Sequence, residues 1–166
     1  MKTMPLTQGQ YAIVDDDDYE SLCGHKWHAR KDGRTYYAAR SVLTGDRQKT
    51  ILMHRIISRC PDGKEVDHVN GNGLDNRRTN LRICNHVDNN RNRNKARRSS
   101  SKYIGVYWSK QEKKWRAQIQ CKTGKTHRMT FLGYFIEEED AAIMYDSAAQ
   151  IFYGEYAKLN FPLRTS

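Results

Sequence analysis

The residues best suited to chemistry lie between positions 65 and 90, where Asp67 and His68 form an Asp-His pair and Asn89 falls in a later run of amides. Phosphodiester hydrolysis requires a base that activates water and a cation that neutralises charge on the phosphate and the leaving oxygen. An imidazole suits the first task, and carboxylate and amide oxygens suit the second. An isolated histidine is more often a hydrogen-bonded group in a turn, but the acid beside His68 and the amides that follow favour a catalytic role.

Short local elements must bring these residues together. The sequence predicts a strand at 65–69, a tight turn in the Asn-Gly-Asn-Gly stretch that follows, a second strand at Leu81–Cys84, and a helix that starts over 86–94. This order would place an acid, an imidazole and an amide carried by a helix around one point.

The segment 54–93 resembles the HNH endonucleases of the phage and intron homing type. Their ββα-metal (His-Me finger) motif carries an Asp-His pair, an Asn-Leu pair and a final metal ligand on the helix. The resemblance implies that His68 is the general base and that Asn80 braces the loop that orients it. It also implies that Asp67 and Asn89 are the metal ligands.

The last position of this motif is usually His, whereas here it is Asn89. Because an amide oxygen is a ligand for a hard cation, the metal is predicted to be Mg²⁺ or Mn²⁺ rather than zinc. Asn90 is an adjacent alternative ligand, and His86 is a further candidate for which a structural role is favoured. His54 matches a histidine that recurs ahead of the motif, and no role is assigned to it.

Several basic residues are predicted to contact the phosphate backbone, with a solvated basic surface as the alternative. The run from 91 to 102, RNRNKARRSSSK, also has the composition of a linker. We therefore expect a nuclease domain at 1–98, a linker at 99–102 and a second domain at 103–162. The residues predicted to contact the phosphate backbone are Arg77, Arg78, Arg82, Arg91 and Arg93.

The composition points to a polyanionic partner. Lys and Arg number 29 against 19 Asp and Glu, which gives a net charge of +10 and a pI near 9.5. We expect double-stranded DNA as the partner, without a small-molecule cofactor. No apolar run approaches the roughly 18 residues that a membrane span needs, and residues 1–10 show no signal pattern. The expected location is the cytoplasm of a bacterium or of a phage-infected cell.

The four cysteines lie far apart and form no CxxC pair, which argues against a zinc ribbon. We expect free thiols that pack as small, partly apolar side chains.

The first part of the chain gives weaker signals. Strands are predicted at Tyr11–Val14 and at 35–39, and a helix at 50–57. The acids 15–18 could form a metal cluster, but adjacent carboxylates are more often a solvated turn, and the turn is favoured.

The last part shows clear periodicity. Residues 114–120 alternate between apolar and polar, residues 122–125 predict a turn, and 128–135 predicts a second strand that ends near Gly133. A helix is predicted over 137–153 with Gly154 as its stop. Its predicted packing stripe contains Ala141, Tyr145, Ala148 and Phe152. Three antiparallel strands packed on one helix would complete a compact unit.

Residues 103–162 resemble the APETALA2/ethylene-response-factor DNA-binding domain of plants. The matching segments are Tyr103-Ile-Gly-Val106, Trp115-Arg-Ala-Gln-Ile119, Leu132-Gly-Tyr-Phe135, Tyr145-Asp-Ser-Ala-Ala149 and Lys158-Leu-Asn-Phe-Pro162. The resemblance implies a three-stranded sheet that reads the major groove, with Trp115, Ile119 and Phe161 in the core. The candidate DNA-binding residues are Tyr107, Lys110, Lys113, Arg116, Gln118 and Gln120.

The combined expectation is a two-domain α+β protein that hydrolyses phosphodiester bonds at a chosen DNA site. The resemblance extends this to homing of a mobile element. The main alternative is a sequence-specific DNA-binding regulator whose nuclease half is inactive, and a more distant one is an RNA-directed nuclease.

Overall fold

The computed structural model describes residues 1–33, 35–91, 99–123 and 126–162, and the fold is given for these residues. The chain forms two compact units, Met1–Asn89 and Asn90–Ser166. Strands and helices are mixed, which confirms the α+β prediction. In the part of the chain described, no helix is both long and apolar enough to cross a membrane.

The first unit is built from short antiparallel sheets and three helices. Its sheets are a β1-β2 pair, a three-stranded sheet in the order β3-β4-β5, and a β6-β7 pair. The elements are β1 (Lys2–Pro5), β2 (Tyr11–Val14), α1 (Asp16–Cys23), β3 (His28–Asp32), β4 (Thr35–Thr44), β5 (Arg47–Leu52), α2 (Met53–Ile57), β6 (Glu65–His68), β7 (Leu81–Cys84) and α3 (His86–Arg91).

Strand β2 joins the core of this unit to the loop that follows β6. Ala12 and Val14 are fully buried in the core, as strand alternation requires. Ile13, between them, donates its backbone N–H to the carbonyl of Leu74 at 2.8 Å and accepts from the N–H of Asn76 at 2.8 Å. The loop therefore rests on a strand anchored in the core.

The acidic run at 15–18 forms neither a metal cluster nor a solvated turn. Helix α1 begins at Asp16, where carboxylates are favoured by the positive end of the helix dipole. Asp18 is buried and pairs with Arg78 at 2.6 Å, and Asp15 accepts the backbone N–H of Arg78 at 2.8 Å. Arg78 lies sixty residues from Asp18 and sixty-three from Asp15 in sequence, so the local pattern could not show these contacts.

The predicted helix at 50–57 is only partly correct. Residues up to Leu52 extend β5, which pairs with β4, and the helix α2 starts at Met53. Met53 and Ile57 enter the core while the β-branched residues before them complete the hairpin.

The second unit is an antiparallel sheet in the order β10-β9-β8 together with helix α4. Ile119 and Cys121 of β9 cluster with Tyr145 and Ala149 of the helix. The small Ala residues of the helix are buried, as predicted. The elements are β8 (Val106–Ser109), β9 (Lys114–Thr123), β10 (Thr126–Phe135) and α4 (Glu138–Tyr153). Residues 124 and 125 of the predicted turn lie outside the described residues.

Two residues expected in this core are exposed. Phe152 is 48% exposed and Phe161 is 40% exposed. At the end of α4 the tyrosine Tyr153 faces the sheet instead, and its hydroxyl donates to the carbonyl of Gln120. The helix stripe therefore turns away from the sheet before it reaches Phe152.

The predicted linker residues contribute to the second unit. The hydroxyl of Ser100 accepts the N–H of Trp108 at 2.8 Å, and that of Ser101 accepts the N–H of Tyr103 at 2.9 Å. Ser101 is also buried. Residues 92–98, the most basic part of the run, lie outside the described residues.

All four cysteines are free, as predicted. Cys84 and Cys121 are buried, in keeping with the packing role, whereas Cys23 is exposed.

Candidate active site

The Asp-His pair lies at the end of β6, where the β6-β7 pair meets the loop that joins the two strands. Asp67 lies opposite Arg82 and His68 opposite Leu81, so the two side chains point to opposite faces of the strand. Both Asp67 and His68 are only 5% exposed. The Asp67 carboxylate accepts the Nε–H of Arg82 at 2.7 Å and pairs with its Nη2 at 2.5 Å.

His68 lies among aromatic rings and one amide. Its ring centroid is 5.1 Å from that of His54 and 5.7 Å from that of Tyr37. Its Nε2 is 3.5 Å from the Oδ1 of Asn76, a fully buried residue. Burial lowers the pKa of His68, while the Asn76 contact and the charge of Asp67 act in the opposite direction. The neutral imidazole is the form that can accept a proton.

Asn80 bridges the loop that follows His68. Its backbone carbonyl accepts the N–H of Val69 at 2.9 Å, and its side-chain Oδ1 accepts the N–H of Asn70 at 3.0 Å. Its Nδ2 donates to the carbonyl of Asp75 at 2.7 Å. Asn80 is buried, and its backbone carbonyl and its side-chain amide together fix the chain directly after the imidazole.

Asp75 is a site-forming residue that sequence reasoning missed. It is 2% exposed and accepts the Nε–H and Nη2–H of Arg77 at 2.7 and 2.6 Å, as well as the Nδ2–H of Asn70 at 2.8 Å. The hydrogen bonds from Arg77 lower the pKa of Asp75. The Asp-x-Arg spacing was the available signal, because an acid and an arginine two residues apart in a turn can pair.

The same loop packs closely on strand β4. Gly73 is buried, and a Cβ at this position would lie 2.5 Å from the carbonyl oxygen of Tyr36 and 2.6 Å from the ring of Tyr37. Its N–H donates to the hydroxyl of Thr35 at 3.1 Å. Glycine is therefore required for the loop to reach the strand that carries Tyr37.

Helix α3 places Asn89 against strand β6. The Nδ2 of Asn89 donates to the carboxylate of Glu65 at 2.6 Å, and His86 contacts the other carboxylate oxygen at 2.7 Å. Glu65 was not identified from the sequence, although its position two residues before Asp67 puts it on the same strand face. The side chains of Asn90, Arg91 and Arg93 lie outside the described residues.

The three arginines predicted to hold phosphate each pair with a carboxylate. Arg77 pairs with Asp75, Arg78 with Asp18 and Arg82 with Asp67. Arg78 is the most exposed of them, with 56% of its side chain accessible. A DNA phosphate would have to share each guanidinium with its carboxylate partner. Contact of these arginines with the DNA backbone therefore stays a prediction.

The donor types near this hairpin fit a hard cation. Asp67 offers a carboxylate and Asn89 an amide oxygen, the ligands that Mg²⁺ takes together with water. Among the described residues no group of three or more His, Cys, Asp or Glu side chains is arranged to hold a metal ion.

A cavity of about 340 Å³ is lined in part by Glu65 and Asn89. Two basic residues, Arg30 and Arg55, contribute to its wall together with aromatic and amide side chains. The lining includes Arg30, Tyr37, His54, Arg55, Glu65 and Asn89. Arg30, Arg55 and Tyr37 were not singled out from the sequence, since Arg30 and Tyr37 lie on strands outside the motif and no local pattern marks Arg55.

His54 also lines this cavity and is 6% exposed. Within the described residues its buried Nδ1 has no hydrogen-bond partner. Burial lowers the pKa of His54 to about 3, with a smaller contribution from His68. The ring is therefore neutral in the folded protein at neutral pH.

We expect this histidine to make the protein less stable in mild acid. Between the unfolded pKa near 6.5 and the folded pKa of about 3, the unfolded state binds more protons, so stability falls as pH drops and is flat above 6.5. From pH 7 to pH 5 the loss attributable to His54 should be about 2 kcal/mol. Urea denaturation at both pH values measures it.

His54→Phe should remove that part of the pH dependence, because phenylalanine keeps a ring but does not titrate. His25→Phe, at an exposed histidine of the same unit, is the control and should leave the dependence unchanged. Parallel pH profiles for wild type and His54→Phe would contradict the assignment.

In the second unit, the predicted DNA-binding residues occupy the sheet face away from α4 and one turn. Arg116, Gln118 and Gln120 alternate with the buried Ala117 and Ile119. Tyr107 lies opposite Arg116 and is 41% exposed, and Lys110 and Lys113 are exposed in the turn between β8 and β9.

Comparison with known proteins gives two related viral chains. The first is an uncharacterized HNH endonuclease of Acanthamoeba polyphaga mimivirus, 28% identical over 92% of this chain and 76% of its own length. The second is Protein 3.8 of Escherichia phage T7, 33% identical over 40% of this chain and 54% of its own length. No solved structure gives a significant match.

A family comparison identifies the segment that carries the site. Residues 58–91 match the family described as HNH endonuclease. This range contains Asp67, His68, Asn80 and Asn89, the residues around the β6-β7 pair. The first unit of the chain therefore carries an HNH endonuclease domain.

Proposed function

We propose that this chain is a metal-dependent DNA endonuclease that hydrolyses phosphodiester bonds at the His68 site. The observation that carries the proposal is the buried His68 beside Asp67, on a strand within the segment that matches the HNH endonuclease family. Burial keeps the imidazole neutral, and the loop after it is held by Asn80.

In the proposed reaction His68 is the general base. With Asn76 Oδ1 as the acceptor, Nε2 carries the ring proton and Nδ1 takes the proton of the attacking water. Asn80 and Asn76 act as positioning residues, because they fix the loop and the ring rather than the substrate. Bond formation by the water oxygen at phosphorus then releases the 3′ oxygen.

Asp67 and Asn89 would hold the cation, which we propose to be Mg²⁺ or Mn²⁺. When bound, it supplies positive charge that stabilises the phosphate and the leaving oxygen. Arg82 orients the Asp67 carboxylate, and Glu65 orients the Asn89 amide. The orientation of each proposed ligand is thus fixed by a neighbouring charged side chain.

We also propose that the second unit is an APETALA2-like module that binds double-stranded DNA. The support is its three-stranded sheet and the polar side chains of Arg116, Gln118 and Gln120 on the face away from α4. The resemblance to homing-type enzymes extends the proposal to cutting at a chosen site on behalf of a mobile element.

Cleavage of supercoiled plasmid tests the enzyme against the regulator alternative. Purified full-length protein with Mg²⁺ should convert the plasmid to nicked or linear DNA, Mn²⁺ should also support the reaction, and EDTA should abolish it. A gel-shift assay on the same preparation measures duplex binding. Binding without cleavage would favour a regulator with an inactive nuclease half, and cleavage that persists in EDTA would contradict the metal requirement.

A further inference from the structure

The sheet of the second unit has an outer face, defined by the residues of β9 and β10 that point away from α4. Directly paired residues of antiparallel strands share a face, so the polar residues of β9 stand beside apolar residues of β10. The pairs are Arg116 with Tyr134, Gln118 with Phe131 and Gln120 with Met129.

The apolar residues of the outer face are exposed together. Phe131 is 49% exposed, Tyr134 41% and Met129 54%, and Tyr107 on the neighbouring strand is 41% exposed. The rings of Phe131 and Tyr134 lie 4.9 Å apart, and the guanidinium of Arg116 lies 5.4 Å from the Phe131 ring centroid. Grouped exposed apolar side chains of this kind mark binding surfaces.

Charge is segregated along the sequence of this unit. Positions 106–135, which span the three strands, hold seven Lys and Arg residues and one acid, Glu112. Positions 136–162, which include α4, hold six acids and one Lys. The stretch of sequence that forms the strands is therefore basic, and its positive charge complements a polyanion such as nucleic acid.

We propose that the outer face binds single-stranded DNA by stacking unpaired bases on Phe131 and Tyr134. In a duplex the flat faces of the bases are covered by their neighbours, and only the edges are presented in the grooves. Phe131 and Met129 have no group that can hydrogen-bond a base edge, whereas an aromatic ring can stack on any unpaired base. Gln118 and Arg116 lie beside these rings, where they can contact base edges and phosphate.

This inference rests on the proposed function in one respect: DNA is chosen as the nucleic acid because the chain is proposed to act on DNA. It goes beyond that function because it adds a second binding mode, in which the module holds an unpaired strand.

Fluorescence anisotropy with the full-length protein tests the proposal. The labelled probes are one single-stranded DNA, the corresponding duplex and a single-stranded RNA of the same sequence, all at one salt concentration. Phe131→Leu keeps an apolar side chain without a ring and should weaken single-strand affinity about tenfold. Phe131→Tyr keeps the ring and should retain that affinity. Duplex affinity should change by less than about threefold in both variants.

Phe152→Leu is the matched control, because Phe152 is 48% exposed but lies on α4. It should not change any of the three affinities, and equal thermal melting of the variants shows that the fold is kept. The proposal is overturned if Phe131→Leu leaves single-strand affinity unchanged, if duplex affinity falls as much, if Phe152→Leu has the same effect, or if RNA binds more tightly than single-stranded DNA.

Plasmid cleavage by the same preparations separates this inference from the nuclease proposal. If Mg²⁺ supports no cleavage while the Phe131 pattern holds, the nuclease proposal fails and the stacking face stands. If cleavage occurs but Phe131→Leu does not weaken single-strand binding, the stacking proposal fails and the nuclease proposal stands.

Discussion

His68→Ala should lower the rate of Mg²⁺-dependent DNA cleavage by about 10³-fold. The buried imidazole is the group proposed to take the proton from water, and alanine cannot replace it. Because none of the proposed DNA-binding side chains is replaced, duplex affinity should stay within about twofold of wild type. Single-turnover cleavage of a labelled duplex, with binding measured in Ca²⁺, separates the two effects.

His25→Ala is the control for this experiment, since His25 is exposed and lines a different cavity of the same unit. It should cut at the wild-type rate. Wild-type cleavage by His68→Ala would remove His68 as the base, and a matching loss of duplex affinity would indicate a binding role instead.

Gly105→Ala should destabilise the second unit by about 3 kcal/mol. Gly105 has a φ of 75°, and a Cβ there would overlap the ring of Tyr145 and lie 2.8 Å from the carbonyl oxygen of Gln118. Tyr145 is 6% exposed and belongs to the core, so its ring has little space into which it can move. Denaturant unfolding followed by tryptophan fluorescence measures the change, since Trp108 and Trp115 report on this unit.

Gly154→Ala separates backbone strain from overlap. Gly154 has a φ of 56° but no atom within 4 Å of a Cβ, so only the cost of the left-handed conformation applies, about 1 kcal/mol. Gly105→Ala should therefore be the more damaging of the two. Equal losses of stability would mean that Tyr145 moves aside easily, contrary to the packing described.

The same Gly105→Ala variant has a consequence for DNA binding. If the second unit supplies affinity, duplex binding should fall at temperatures where that unit is unfolded, while slow cleavage by the first unit persists at high protein concentration.

The sequence correctly predicted the strands and helices whose own residues carry a clear pattern. Strand β7, Leu81–Cys84, has the predicted limits, and α4 begins one residue after the predicted start and ends at Tyr153, with Gly154 as its C-cap. Alternation along β9 separated the buried Ala117 and Ile119 from the polar face because a strand's side chains alternate at every residue. The order of Asp67, His68, Asn80 and Asn89 was likewise enough to indicate the nuclease segment.

The environment of the site was decided by tertiary structure. The rings of Tyr37 and His54 reach His68 from β4 and α2, and Asp18 holds Arg78 across sixty residues of sequence. No local period encodes such pairings, because they depend on how separate elements pack.

The sequence alone thus determined the chemical groups available to this protein, in the Asp-His pair and the amides that follow. Only the tertiary structure decided which of these groups are buried, paired or exposed. Burial lowers the pKa of His54, and contacts between separate elements give Arg78 its carboxylate partner. The packing of the sheet leaves the rings of the outer face exposed. These depend on distances between elements, which a one-dimensional pattern does not contain.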